Sequence, residues 1–372
     1  MLKNKVIIIP IENAWNHSAD FLRQTALVLS KHNLVYIYDH NNHYFFGKKN
    51  RKNVYPTYKN IIFHQAKYYL PFERFKIIDK FNRWLSFKLF LEKHRRADKI
   101  LWIFYPNYYD FAQMNSQKML KIYDCVDYSE NHQEENILIN SVDYFFVNSK
   151  ALKNLYTKRE LNKQAIYISA QGFFQPDDKK IKSVPLKKGK NKVVIGYIGG
   201  LNYRLNYPLL DQLISNHPEW LFVFYGPEQN NVEKDKVYHT QKWIKKLKQH
   251  KNTLFSYSSD RYFIYGLIKN FDVAIIPYNT DIIFNKYCYP MKIFEYFYMG
   301  KPVVTNPIVE LNLQKFNNLI KISKENNDWE KNIEYFLKNK LSAQKKQVQK
   351  TLAKNNSWEY KLNAIGKYLL LN

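Results

Sequence analysis

Cysteine, glycine, acidic side chains and long apolar runs are all scarce in this 372-residue chain. The two cysteines, Cys125 and Cys288, are too few for a disulfide framework or a thiolate metal site of the usual kind, so a reducing cytoplasm is the expected setting. No apolar run approaches the roughly 20 residues that span a bilayer. The run Val6–Pro10 is only a strand's length and no small-residue cleavage site follows it, which favours a first β-strand over a signal segment. No His/Cys cluster has ligand spacing, no Asp-x-Asp follows a strand, and Gly-x-Ser-x-Gly is absent, so neither a metal nor a serine nucleophile is expected. Acids number 32 against 58 Lys and Arg, a formal net charge of +26 that attracts phosphate, anionic lipid or nucleic acid. Part of that excess fits codon drift, because Lys, Asn, Ile, Tyr and Phe are abundant together. No nucleic-acid recognition module accompanies the charge, and no nucleic-acid partner is expected.

What is present suffices for two domains, each with its own core, since 45% of the residues are apolar. Strands and helices alternate along the whole length, which argues an α/β protein. Strands are predicted at Val6–Pro10, Leu34–Tyr38, Lys99–Tyr105, Leu120–Asp124, Val142–Asn148 and Ala165–Ile168, with helices at Asp20–Ser30 and Lys150–Asn162. Residues 177–192 are polar, charged and broken by Pro185 and Gly189, the composition of a linker. A second series opens at Val193–Gly200 and continues through a helix at Pro208–Ser215, a strand at Trp220–Tyr225, a helix at Thr240–His250 and a strand at Phe271–Pro277. The tail from Asn356 to Asn372 reads as a last helix. The predicted division is therefore 1–176, linker 177–192, 193–355, and a C-terminal helix 356–372.

The most informative stretch runs from Asn285 to Val304 and contains Pro290-Met291-Lys292, Glu295 and Gly300-Lys301-Pro302-Val303-Val304. It follows a buried strand, so the order is strand, loop, helix, glycine turn, strand. Pro290 suits the first turn of a helix and Gly300 its end. Such a loop delivers a helix N-terminus to the carboxyl edge of a parallel sheet, where α/β proteins bind phosphates. Lys292 adds a positive charge in the first turn, and Glu295 can present a carboxylate to a pair of hydroxyls. Helix end, ammonium and carboxylate together suit a nucleoside diphosphate with its ribose. Gly199 and Gly200 end a strand and let a ligand approach the backbone closely. Arg204 can clamp a diphosphate through its guanidinium, or stand as a surface arginine.

The pattern "Pro290…Lys292…Glu295…Gly300-Lys301-Pro302-Val303-Val304" resembles the donor-site segment of GT-B glycosyltransferases. "Ile195-Gly196-Tyr197-Ile198-Gly199-Gly200" and "His217-Pro218-Glu219-Trp220" onward to Pro227 are similar to the opening strands of the donor domain in family 4-like members. The bacterial teichuronic-acid and capsule transferases are the nearest group. "Ile122-Tyr123-Asp124-Cys125-Val126-Asp127", the strand around Phe145 and "Ile168-Ser169-Ala170-Gln171-Gly172" are similar to that group's acceptor domain. The resemblance implies two doubly wound Rossmann-like domains facing a central cleft, with the last helix crossing back to the first domain. It implies a donor site of Gly199, Gly200, Arg204, Pro290, Met291, Lys292 and Glu295, with Glu295 on the ribose. It implies transfer of a sugar from a nucleoside-diphosphate sugar, UDP-linked, to a cell-surface polysaccharide or lipid-linked glycan, with no cofactor beyond that substrate. Two departures stand out. Tyr287 occupies the place of the first of two glutamates that many retaining members carry, and the loop Ile11–His17 lacks the usual glycines.

On the acceptor side, Asp127, then Asp124, are candidate general bases for the acceptor hydroxyl, although an Asp after a strand also caps helices. His17, beside Trp15 in the first loop, is a third candidate. From Phe72 to Arg96, Phe75, Ile78, Phe81, Leu85 and Leu89 recur at helical spacing with Lys and Arg between them. That pattern suits a helix lying on an anionic membrane surface, and also an ordinary core-facing helix in a basic protein. The expected location is cytoplasmic, peripheral on the inner face of the membrane. The alternative is a catalytically degenerate GT-B scaffold in a polysaccharide-assembly complex.

Overall fold

The computed structural model describes residues 2–12, 15, 20–45, 55–159, 161, 165–186, 189, 193–228, 234–258 and 260–370. The chain forms two compact units, Met1–Gly172 with Trp358–Asn372, and Phe173–Ser357.

Among the described residues of the first unit, seven strands form one sheet: β1 (Val6–Ile11), β2 (Leu34–Phe45), β3 (Ile61–Tyr68), β4 (Lys99–Ile103), β5 (Met119–Cys125), β6 (Tyr144–Val147) and β7 (Ile166–Ile168). Their order is β3-β2-β1-β4-β5-β6-β7, and every neighbouring pair is parallel. A parallel sheet is covered on both faces, which is why β1 and β4 read as unbroken apolar runs with almost every residue buried. The chain winds outward from β1 in one direction and from β4 in the other. The strand order reverses between these two, and that reversal point is where doubly wound sheets take ligands.

The helix Trp358–Leu370 belongs to this unit and packs on the helix Asp20–Leu29. Its anchor is Lys361, whose Nζ donates to Asp124 Oδ1 at 2.8 Å with both side chains wholly buried. The break between units falls after Gly172, ahead of the predicted linker. Phe173 is buried in the second unit's core beside Phe294 and Tyr298. The Tyr265 hydroxyl donates to the Phe174 carbonyl, and Asn270 Nδ2 to the Val184 carbonyl at 2.7 Å. Polar composition made this stretch read as a linker, but its carbonyls are held by side chains of the second unit. Residues 187–188 and 190–192 of the predicted linker lie outside the described residues.

The second unit carries β8 (Val193–Ile198), β9 (Trp220–Tyr225), β10 (Thr253–Ser256), β11 (Val273–Ile276), β12 (Val303–Thr305) and β13 (Ile320–Ile322). The order β10-β9-β8-β11-β12-β13 is again all parallel, with its reversal between β8 and β11. The glycines ending β8 therefore stand at a reversal point.

Candidate functional site

Gly199 follows β8 with φ +125°, a conformation that glycine adopts freely and other residues do not. A Cβ at this position would lie 2.9 Å from Cε and 3.0 Å from Nζ of Lys292, so the lysine's head rests on the bare backbone of Gly199. Lys292 comes from the helix Lys292–Tyr298, which follows β11 by way of a short helix, Ile283–Tyr287. Its ammonium donates to the Tyr278 hydroxyl and stands 4.9 Å from the Tyr197 ring centre and 4.5 Å from that of Tyr278. Burial pulls the ammonium's pKa down, but the facing phenols Tyr197 and Tyr278 outweigh it and the net shift is upward. Lys292 is a cation at neutral pH.

Arg204 reaches the same tyrosine from the loop after β8. Its guanidinium lies 4.6 Å from the Tyr278 ring centre and 4.5 Å from that of Phe284. Arg204 Nε donates to Asn285 Oδ1 at 2.6 Å, while Asn285 Nδ2 returns a bond to the Arg204 carbonyl at 3.0 Å. The buried Asn285 thus fixes both the backbone and the head of the arginine. Two cations converge on one phenol at the reversal point, and the charge of Arg204 opposes that of Lys292. Such a pair is stabilised by a multiply charged anion. Gly200, half-buried, accepts from the Tyr197 hydroxyl at 3.1 Å through its carbonyl.

The helix differs in detail from the sequence expectation. It begins at Lys292, so Pro290 lies before it, buried, and Met291 is its N-cap. The first turn is tight: the Ile293 amide donates to Pro290 O at 3.2 Å and the Phe294 amide to Met291 O at 3.0 Å. Those two amides are satisfied within the chain. At the other end Gly300, φ +65°, closes a Schellman turn, its amide bonding to Phe297 O and that of Lys301 to Tyr296 O, both at 3.0 Å. Ile293, Phe294, Tyr296, Phe297 and Tyr298 are buried, whereas Lys292, Glu295 and Met299 are half-buried. A spacing of three puts Glu295 on the same helix face as Lys292, one turn on. Tyr287 ends the short helix before this segment, half-buried.

The first sheet's reversal point is chemically different. Glu12 immediately follows β1, and Pro106 opens a 3-10 turn, Pro106–Tyr108, just beyond β4. That turn brings Asn107 Nδ2 to Glu12 Oε1 at 2.7 Å. Burial raises the pKa of Glu12 above the ordinary carboxylate value, with the Asn107 hydrogen bond opposing it. Burial first, then the nearby charges of Glu12 and Asp127, push the phenol pKa of Tyr105 up. Asp127 is half-buried two residues beyond β5. Asp124 is not with them. It is wholly buried, bonded to Lys361, and accepts from Trp102 Nε1 at 3.3 Å. Its candidacy as a base is corrected here: it anchors the last helix. His17 lies outside the described residues. Glu12 was passed over in the sequence because its loop stood out only for missing glycines. The available signal was its place as the first residue after a strand.

The family model described as Glycosyl transferases group 1 matches residues 178–355, inside the second unit. That unit is therefore a group 1 glycosyltransferase domain. Among particular proteins, the chain is 26% identical over 117 residues to TuaH of Bacillus subtilis (strain 168), named as a glycosyltransferase of teichuronic acid biosynthesis. The match covers 32% of this chain and 27% of that protein, so it spans about a quarter of the relative's length. Two solved structures match almost end to end. Sucrose-phosphate synthase from Thermosynechococcus elongatus has a TM-score of 0.73 at 13% identity, covering 99% of each chain. Anabaena HepE in complex with UDP-glucose has a TM-score of 0.68 at 15% identity, covering 99% of this chain and 100% of the other. The fold is GT-B.

Proposed function

We propose that this chain transfers a sugar from a nucleoside-diphosphate sugar, UDP-linked, to a hydroxyl of a cell-surface polysaccharide or lipid-linked glycan, with no metal required. One observation carries the reading: Lys292 and Arg204 converge on Tyr278 beside the bare backbone of Gly199 at the second sheet's reversal point. In that reading the diphosphate lies over Gly199 and Gly200. Its charge is met by the two cations, and Glu295 takes the ribose hydroxyls. Cations set in place before the reaction stabilise the leaving diphosphate as its bond to the sugar breaks. The UDP-glucose bound by HepE supports a UDP-linked donor, and TuaH's name supports a cell-envelope acceptor. The first unit, with Glu12 and Asn107 at its reversal point and Asp127 one strand further along, takes the acceptor.

The same reading places the first unit on an anionic membrane surface. The helix there runs from Lys76 to Lys93 and buries Asn82, Ser86, Phe87, Phe90 and Leu91. Of the apolar stripe read from the sequence, Phe75 is 53%, Phe81 42% and Leu89 40% exposed while Ile78 and Leu85 are half-buried, and Ile77 at 83% and Trp84 at 42% are exposed beside them. Arg74, Lys76, Lys80 and Lys88 stand among them, all exposed. Apolar rings interleaved with cations suit the interface of an anionic leaflet. Among the described residues no helix is long and apolar enough to cross a membrane.

A thermal-shift panel of UDP-, GDP- and dTDP-sugars tests the donor assignment, because a ligand that binds only the folded state raises Tm by mass action. The expected result is a shift with UDP-sugars and none with the other two. No shift with any of them defeats the reading. Tyr287 in the place of a glutamate supports the second reading, a scaffold that binds donor without transfer. Release of UDP above background in the presence of acceptor excludes it.

A further inference from the structure

On the flank of the first unit, a cavity of about 560 Å³ lies between the helix Lys76–Lys93 and the stretch from Tyr109 to Ser116. That volume falls within the roughly 300–1,000 Å³ of ligand sites. Tyr109 stands just beyond the Pro106–Tyr108 turn, and Ser116 just ahead of β5, which runs parallel to β4. The cavity therefore starts beside the edge that carries the reversal point and runs towards the opposite edge. Lys80, Trp84, Lys88 and Leu91 line one wall at spacings of four, four and three, a single face of the helix. At the helical rise, Lys80 to Leu91 covers about 16 Å, room for an extended ligand.

The polar groups of this cavity are set in place by the chain. Asp110 Oδ1 accepts from Arg83 Nη2 at 3.0 Å and from the Phe111 amide at 2.9 Å, which fixes the carboxylate and leaves Oδ2 to accept from a ligand. Arg83 also donates to the Asn107 carbonyl at 3.1 Å, so its charge is engaged behind the wall. Lys121 Nζ donates to Asn115 Oδ1 at 3.0 Å, which leaves Nδ2 of Asn115 to donate. Gln113 adds an exposed carboxamide, and the exposed ring of Trp84 has its centre 4.8 Å from Lys88 Nζ. Two ammonium groups, Lys80 and Lys88, share the lining with two carboxylates, Asp110 and Glu92. Charges so mixed exert little pull on a multiply charged anion, unlike Lys292 with Arg204.

A sugar ring offers the complementary surface. Its C–H face lies on an indole, and its rim of hydroxyls both donates and accepts. We propose that this cavity is a saccharide-binding subsite, in which Trp84 carries the face of a sugar ring while Asp110 and Asn115 take its hydroxyls. Within the transfer reading above, on which the identity of the saccharide rests, the subsite holds the acceptor glycan behind the end that reacts. The two carboxylates disfavour a phosphate group as occupant. An acyl chain is disfavoured because it would strip Asp110, Gln113 and Asn115 of water without replacing their hydrogen bonds. Phe75, Ile77 and Phe81 lie outside the lining, so saccharide binding and membrane contact can be separated by substitution.

The test is saturation-transfer NMR on the full chain with three soluble probes, maltohexaose, cellohexaose and chitohexaose. It is repeated in Trp84→Ala, in Asn115→Ala and in the double variant Phe75→Ser with Ile77→Ser. At least one hexasaccharide should bind, with affinity lowered on the order of tenfold in Trp84→Ala and Tm unchanged, since the ring is exposed. Asn115→Ala should weaken the same probe, and the double variant should bind it as the wild type does. No transfer to any of the three probes overturns the proposal, as does undiminished binding in Trp84→Ala. Loss of phosphatidylglycerol-vesicle binding in Trp84→Ala with saccharide binding intact overturns it too, and gives the groove to the membrane. A chain that binds the hexasaccharide through Trp84, yet releases no UDP from UDP-glucose in its presence, keeps the subsite and removes the transfer reading.

Discussion

Replacing Lys361 by Met removes one half of an ion pair that has no access to water. Lys361 and Asp124 are each 0% exposed and 2.8 Å apart, and the other Asp124 oxygen accepts from Trp102 Nε1 at 3.3 Å. Methionine fills nearly the volume of the lysine stem, so the cavity term is small. What remains is a carboxylate stripped of its partner in a medium that cannot solvate it. Breaking a buried pair in this way costs about 3–5 kcal/mol. For a unit of this size each kcal/mol corresponds to roughly 2–4 °C, which places the loss at about 6–20 °C in Tm. Removing both charges, Asp124→Asn with Lys361→Met, should recover much of the loss, because the stranded charge rather than the pair carries most of the cost. Differential scanning calorimetry and urea titration of the single and double variants measure this. UDP affinity should not move, since both residues lie in the first unit. A single-variant loss under about 1 kcal/mol, or a double variant no better than the single, would show that the stranded carboxylate is not what the pair guards against.

Gly199→Ala forces a side chain onto φ +125° and into the head of Lys292, and should cost about 1–3 kcal/mol of stability together with weaker UDP binding, read by denaturation and calorimetry. Burial raises the pKa of Glu12, so between its ordinary value and the raised one the folded state holds more protons than the unfolded state. Stability contributed there falls as pH rises through that window. Glu12→Gln should therefore raise Tm at pH 7.5 and lose the advantage near pH 4, a trend that a Tm-against-pH series checks. Phe75→Ser with Ile77→Ser should reduce co-sedimentation with phosphatidylglycerol vesicles without lowering Tm, since both side chains are more than half exposed. Unchanged sedimentation would remove the membrane assignment.

Much of the fold was legible because buried parallel strands leave unbroken apolar runs, as in β1, β4, β8, β9 and β11. The strands missed from the sequence were β3, β10 and β13, and all three are sheet edges. An edge strand has one neighbour and need not be apolar throughout, so β3 carries His64, Gln65 and Lys67 and loses its signal. The helices Asn326–Lys338 and Ala343–Lys354 went unread for a related reason: the latter buries only Gln349 and Ala353. At the candidate site, Gly199, Lys292 and Glu295 were visible as glycine, charge and spacing. Their assembly was not, because Tyr278 and Asn285, which hold Lys292 and Arg204, read as ordinary loop residues until the strand order joined them. The acidic counterpart at Glu12 was hidden in the same way, its partner Asn107 standing beyond a strand that only the fold places alongside.

If Lys292 and Arg204 grip a diphosphate, calorimetry of UDP beside uridine in the wild type and in Lys292→Met measures that grip directly. A charge-assisted bond of about 1.5–3 kcal/mol corresponds to roughly 10- to 150-fold in Kd. UDP should weaken by about that factor in the variant while any uridine binding stays the same. Equal loss for both ligands, or undiminished UDP binding, would contradict the assignment.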